Sequence, residues 1–405
     1  MKIAMVFPVF DKAGGIGRAL VELSVQLAGD GHEVHVVANS WDRSYADRGL
    51  IFHRVPMVKP NNPLQMSSFA LASTAALRGK LARERFDVVH SHGLAALEAD
   101  VVTAQSCHRA WVELSNPTLK PFSAAWLRRR LNPKHPTMMA IERHLYGERH
   151  CRKIVSVSHG VKQEIMRLYD VPDEAVAVIP NGVNPDEFAA ERLDSQREAT
   201  RASLGLAPHD RALLFVANEF PRKGLDALLD GLALLPPSVH LLCVGKGNPQ
   251  PYLPAVARHG LGPRVHFIAH TPHVRAYYAA ADLFVFPTQY EAFSLATLEA
   301  AAAGLPLLCT RVNGTDELIA DGINGLFIAR DGRDIAAKVQ WVLDGPDRVA
   351  ALGRAARESA KNYQWDRIKD RHVTVYEEVA DAKRGVPRRS SAMDARRTAG
   401  GASTI

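Results

Sequence analysis

The fold class read from this sequence is α/β: two doubly wound domains whose parallel sheets face a central cleft. Three observations predict it. Short apolar runs alternate with helical segments, the alternation is repeated in the second half of the chain, and a Pro- and Asn-Gly-rich stretch separates the two series. A length of 405 residues suits two such domains at roughly 150 residues each with additions.

In the first half the runs Ile3 to Phe7, Val34 to Ala38, Asp87 to His90, Val101 to Thr103 and Ile154 to Val157 read as strands. Between the first two, a helix from about Gly17 carries Leu20, Leu23 and Leu27 on one face and stops at Gly29-Asp30-Gly31, completing a β-α-β unit. The second half repeats the scheme with Leu213 to Ala217, Val239 to Val244, Val265 to Ile268, Leu283 to Phe286 and Pro306 to Cys309. Between the halves, Ile179-Pro180-Asn181-Gly182-Val183-Asn184-Pro185 favours extended or turning chain. These signals divide the chain into a first domain (1–179), a hinge (180–200) and a second domain (201–362). From about Arg384 to residue 405 the chain is rich in Arg, Ser and Gly and is expected to form a flexible basic tail.

Composition bounds the function. Hydrophobic residues at 47% and charged residues at 23% describe an ordinary globular protein. A net charge of +7 favours an anionic partner without choosing among nucleic acid, acidic membrane and phosphorylated small molecule. Cys107, Cys151, Cys243 and Cys309 are widely spaced, form no C-x-x-C pair and read as reduced core residues. Met1 to Phe10 reads as a buried strand rather than a signal peptide, and no apolar run is long enough to span a bilayer. The expected location is the cytoplasm.

The chemistry concentrates in loops that follow strands. The run from Phe286 through Glu291 to Glu299 leaves a strand, turns and enters an Ala-rich helix that Gly304 ends, with Ser294 as its N-cap. A helix start suits a phosphate, and carboxylates beside it make sense as acceptors for sugar hydroxyls. Spacing alone divides evenly between that reading and two solvated glutamates at a helix N-terminus. The loop ending at Arg222-Lys223 tips the balance, because adjacent cations there would clamp a diphosphate. No D-x-D sequence or acidic cluster suggests a metal site, so no metal and no cofactor are expected. Gly14-Gly15 opens the first helix where backbone can approach a phosphate or sugar, though it is equally a tight connection. Asn39 stands where a nicotinamide dinucleotide site would place an acid. The period of two puts His90 and His92 on one face; His90 reads as packed and His92 as clearing the strand end into the cleft.

Taken together, Glu291 and Glu299 with seven residues between, Arg222-Lys223-Gly224, Gly14-Gly15, Asp87 to Gly93, and Asn313 to Glu317 with Asp321 to Gly325 resemble family 4 of the retaining glycosyltransferases. The resemblance runs from Met1 to about Glu378 and implies the GT-B fold of two Rossmann-like domains, with a final helix (363–383) crossing back to the first. It implies nucleotide-sugar contacts at Gly14, Gly15, Arg222, Lys223, Glu291, Phe293, Ser294, Leu295 and Glu299, and catalytic roles for Lys223, Arg222, Glu291 and His92. The donor loop, with Ala217-Asn218 in place of a commoner Gly-Arg, is similar to that of the lipopolysaccharide core glucosyltransferases. Ala292 and Gln105 replace a common glycine and a frequent histidine of the family.

The expected activity is retaining, metal-independent transfer of a hexose from a nucleoside diphosphate sugar, with UDP-glucose foremost, to a hydroxyl of a glycan or glycolipid such as lipopolysaccharide core. A nucleotide-sugar epimerase of similar fold and a non-catalytic nucleic-acid-binding protein are the competing classes. No nucleic-acid partner is expected, since basic and aromatic residues form no recognisable binding module. Trp111, Phe122, Trp126 and Leu127 interleave with Lys120, Arg128, Arg129, Arg130 and Lys134, which suits either a peripheral contact with an anionic inner membrane or a solvated basic loop.

Overall fold

A computed structural model describes residues 1–58, 64–115, 123, 126–127, 130–188 and 190–385. The main sheet of the first domain has seven parallel strands, β1 (Lys2–Val6), β2 (Glu33–Ala38), β3 (Leu50–Arg54), β4 (Val88–His92), β5 (Ala99–Ala104), β6 (Cys151–Ser156) and β7 (Val176–Val178), and beside it Val9–Phe10 pairs with Ser40–Trp41. Their spatial order is β3-β2-β1-β4-β5-β6-β7. The second domain holds six, β8 (Arg211–Val216), β9 (Val239–Gly245), β10 (Val265–Ala269), β11 (Leu283–Phe286), β12 (Leu307–Cys309) and β13 (Gly325–Phe327), ordered β10-β9-β8-β11-β12-β13.

Central strands such as β8 and β11 are buried on both faces, which explains why they read as unbroken apolar runs rather than as alternation. Within the two main sheets, three strands escape the sequence reading. β3 (Leu-Ile-Phe-His-Arg) is a half-exposed edge with polar residues at its end, and β7 and β13 are three residues each, too short to show a period.

In both sheets the chain reverses its direction of travel between the first and fourth strands, β1/β4 and β8/β11. Ligands of doubly wound sheets bind at the carboxyl ends of such strand pairs. The loops after β1, β8 and β11 are those that carry Gly14-Gly15, Arg222-Lys223 and Glu291.

Five helices position the site: α1 (Gly15–Gly29), α2 (His159–Tyr169), α3 (Phe220–Lys223), α4 (Leu295–Ala302) and α5 (Trp365–Arg384). α5 lies on the first domain, where Trp365, Ile368, Val375 and Tyr376 join the core formed by Ile3, Met5 and Leu20. Lys369 pairs there with Asp30, and Lys383 with Asp100 at 2.9 Å. The stretch read as a hinge is divided: its later part forms a helix, Ala190–Ser203, fastened to the second domain by Arg201, which donates to the carbonyl of Ala280 at 3.0 Å and pairs with Asp282 at 3.4 Å. Residues 386–405 of the expected basic tail, with Phe122, Lys120, Arg128 and Arg129, lie outside the described residues.

Candidate active site

A cavity of about 660 Å³ opens between the domains at the two strand switch points, and it is lined by residues from both. Its second-domain wall starts where β8 ends. The chain passes through Ala217, Asn218 and Glu219 into α3, which Gly224 stops with φ of 84°. A Cβ on Gly224 would lie 2.1 Å from the carbonyl oxygen of Pro287, so only glycine lets this loop touch the one that follows β11. The amide of Gln289 donates to the carbonyl of Arg222 at 2.9 Å and closes the contact.

That closeness pairs the charges. Lys223 and Glu291 form an ion pair, and each side chain is only 10% exposed. Burial and then the neighbouring Arg222 push the Lys223 pKa down from the ordinary lysine value, with Glu219 opposing them. Arg222 is also engaged, donating from Nε to Glu219 at 2.9 Å and from Nη1 to the carbonyl of Tyr290 at 2.9 Å. The two cations read from the sequence as a diphosphate clamp therefore line the cavity already tied to acids and carbonyls of the same domain.

Ser294 caps α4, its Oγ accepting from the amide of Thr297 at 3.1 Å. The cap leaves the first amides of the helix without intrahelical acceptors at the cavity wall, where Phe293, Ser294, Leu295 and Ala296 are lining residues. Glu299 lies one turn further and is also buried. One of its oxygens accepts from the Tyr278 hydroxyl at 2.9 Å, and the other pairs with Arg18 of the first domain.

On the first-domain wall, Gly14 and Gly15 lead into α1. A Cβ on Gly14 would meet no atom within 4 Å, so a side chain there would fill cavity space instead of clashing. A Cβ on Gly15 would lie 3.6 Å from Cδ1 of Leu295 in the other domain, an ordinary contact. Gln105 and Asn181 exchange amide hydrogen bonds at 3.2 and 3.3 Å, and His108, Trp111, Lys134 and His135 continue the wall.

His92 is a correction. The sequence reading ends its strand at His90 and sends His92 into the cleft, but β4 runs on to His92, which stays in register with Thr103. Its ring is 2% exposed, 4.2 Å from that of His90, beneath α5. Neither ring nitrogen has a hydrogen-bond partner, and burial holds its pKa down at about 3. His92 is therefore absent from the cavity lining, whereas His90 is packed as read, bonded to Tyr376 at 2.6 Å and Thr103 at 2.7 Å. Trp111 is the opposite case: read as part of a surface segment, it lines the cavity.

The sequence reading missed Arg18, Tyr278 and Glu164. Glu164 on α2 accepts from Asn313 at 2.7 Å and Tyr290 at 3.1 Å, joining the domains. No local pattern marks these residues, because each acts on a partner more than 20 positions away. Among the described residues two clusters could hold a metal, His144-Glu148-His150 and Glu33-His35-Glu84, and both lie apart from the cavity lining.

Two doubly wound domains around a cleft that presents cations, a helix start and paired carboxylates define the class of GT-B glycosyltransferases. Comparison with known proteins agrees. Residues 13–187 match the family model "Glycosyltransferase Family 4" and residues 210–345 match "Glycosyl transferases group 1". The chain belongs to glycosyltransferase family 4.

Among relatives, an uncharacterized glycosyltransferase of Methanocaldococcus jannaschii is 27% identical, covering 93% of this chain and 98% of its own. A D-inositol 3-phosphate glycosyltransferase of Jonesia denitrificans is 28% identical over 90% of this chain and 91% of its own. The lipopolysaccharide glucosyltransferase WaaG of Escherichia coli is 27% identical over 78% of this chain and 82% of its own. The crystal structure of WaaG superposes with a TM-score of 0.76 at 25% identity, covering 94% of this chain and 99% of that one.

Proposed function

We propose that this enzyme transfers a hexose from a nucleoside diphosphate sugar to a hydroxyl of a glycan or glycolipid with retention of anomeric configuration. Glucose from UDP-glucose is the donor we favour, since the Escherichia coli relative at 27% identity is named a lipopolysaccharide glucosyltransferase. The observation that carries the reading is the convergence of Lys223, Glu291, Glu299 and the start of α4 on one interdomain cavity.

In this reading Glu299 accepts hydrogen bonds from the ribose and Glu291 from the transferred hexose, while Lys223, Arg222 and the first amides of α4 stabilise the departing diphosphate. Phe293, Ser294 and Leu295 shape that helix start, and Gly14 and Gly15 leave backbone and space for the phosphates on the opposite wall. The bond between the anomeric carbon and the leaving phosphate oxygen breaks as the acceptor oxygen bonds to the same face. The leaving oxygen takes the acceptor's proton, so no protein nucleophile is required. Protein cations, rather than a metal, offset the developing charge.

Donor hydrolysis separates this from the alternatives. Incubated with UDP-, GDP- and ADP-sugars, with and without acceptor extract, a transferase releases nucleoside diphosphate faster when acceptor is added. An epimerase interconverts sugars without release, and a nucleic-acid-binding protein does neither.

We also propose peripheral contact with an anionic membrane near Trp126, Leu127 and Arg130. Leu127 and Leu131 are 50% and 71% exposed, and Arg130 lies 5.2 Å over the Trp126 ring. No helix among the described residues is long and apolar enough to cross a membrane. Flotation with vesicles of 30% anionic lipid, roughly, should recover the protein, and recovery equal to that with neutral vesicles would overturn the contact.

A further inference from the structure

We propose that His108, Trp111, Lys134 and His135 form the acceptor subsite, and that it takes a saccharide bearing an anionic group. The inference rests on the glycosyltransferase reading and names the acceptor's chemistry. It starts from the charge on the wall. The first-domain residues that line the cavity include Arg18, Lys134, His108 and His135 and no carboxylate, whereas on the facing wall Arg222 and Lys223 stand among Glu219, Glu291 and Glu299. A molecule lying on the first domain thus meets only cationic, hydrogen-bonding or apolar groups.

The shape of the wall points to a sugar ring. His108 and His135 meet edge to edge, Nε2 of one 3.1 Å from Nδ1 of the other, with ring centres 5.3 Å apart and planes 17° from parallel, and the Trp111 ring lies 5.6 Å from each at tilts of 31° and 30°. Three rings tilted by no more than 31° from one another make a platform whose faces match the apolar C–H face of a pyranose, and the His108–His135 bond holds two of them edge to edge. The Gln105–Asn181 amide pair supplies uncharged donors and acceptors on the same wall.

The platform is also held in place from beneath. Glu142 is 1% exposed and accepts from the amides of His108 at 2.6 Å and Arg109 at 3.1 Å and from the Tyr169 hydroxyl at 2.6 Å. It closes the helix Lys134–Glu142, which brings Lys134 and His135, and it fastens to that helix the start of the helix His108–Ser115, which brings His108 and Trp111. Three donors offset the cost of burying the carboxylate, and in doing so they fix the spacing of the rings. Glu142 is thus a positioning residue for the subsite.

The test uses the whole chain with UDP present and three probes: glucose, glucose 6-phosphate and glucuronate, followed by saturation-transfer NMR and competition. Both anionic probes should bind at least about tenfold more tightly than glucose, a difference of about 1.4 kcal/mol. A preference for one of them tells phosphate from carboxylate. Lys134→Ala should bring the anionic probes down to the level of glucose, and Trp111→Ala and His135→Ala should weaken all three, with Trp111→Phe restoring binding. Glucose binding as tightly as both anions, or unchanged binding in Trp111→Ala and His135→Ala, would overturn the subsite. UDP, GDP and ADP affinities are read in the same samples: failure of the wild-type protein to bind any of the three counts against the glycosyltransferase reading, whereas nucleotide binding without saccharide preference counts against this inference alone.

Discussion

Arg18 of the first domain and Glu299 of the second form an ion pair across the cleft, while Tyr278 holds the other oxygen of the same carboxylate at 2.9 Å. The pair lies between the cavity of about 660 Å³ and a second of about 750 Å³, and both residues line both. The carboxylate proposed to receive the ribose is thus occupied from both sides before any donor arrives. Replacing Arg18 by Ala removes a competitor for it. Uridine, which has no phosphate to meet Arg18, should then bind about fivefold more tightly, the effect of about 1 kcal/mol expected of one hydrogen bond. Unchanged or weaker uridine binding by calorimetry would count against the competition.

Tyr278 acts in the opposite sense, because its hydroxyl orients Glu299. Tyr278→Phe should raise the dissociation constant for UDP by about three- to tenfold and leave turnover at saturating donor unchanged. A fall in turnover with no change in UDP affinity would place Tyr278 in the transfer step instead.

Lys223 and Glu291 are buried together, so removing one strands the other. Lys223→Ala should cost about 3–5 kcal/mol of stability by urea denaturation, and the double variant Lys223→Ala/Glu291→Gln should recover most of that. Neither should recover transfer, since the lost cation also serves the leaving diphosphate.

The buried histidines set the acid limit of the fold. Burial first, and then neighbouring positive charge for His372, holds His92 and His372 at about 3 against an ordinary 6.5, and His90 is lowered in the same direction. The folded state keeps these rings neutral while the unfolded chain protonates them. Their contribution to stability is therefore complete above about pH 6.5 and is lost progressively as pH falls toward 3. Each pH unit in that window should remove up to about 1.4 kcal/mol per ring. His92→Leu should flatten the pH dependence of the urea midpoint between pH 6.5 and 4, and an unchanged slope would show that His92 is not the group titrating.

Much of this was legible in the sequence, for local reasons. Strands buried on both faces announce themselves as apolar runs, and Ser294 declares the start of α4 because an N-cap is a property of adjacent residues. What the sequence hid is what depends on distant partners. The contact that Gly224 permits with Pro287, which sets Lys223 against Glu291, joins two loops more than 60 positions apart. Glu164 bonding Asn313 and Tyr290 spans still more. His92 was misread for a simpler reason: the strand runs two residues past the expected end, so a side chain expected in the cleft stays under α5. The resemblance to a family pointed to which residues matter, and the structure adds which of them hold one another.

The central claim is a division of labour, with Glu299 holding the nucleoside and Lys223 serving the departing phosphate. The most direct test measures UDP affinity and acceptor-dependent turnover for Lys223→Ala and Glu299→Ala side by side. The account predicts that Glu299→Ala raises the dissociation constant for UDP by about ten- to a hundredfold while turnover at saturating donor changes little, and that Lys223→Ala lowers turnover by at least about a hundredfold. Wild-type turnover and UDP affinity in both variants would contradict it.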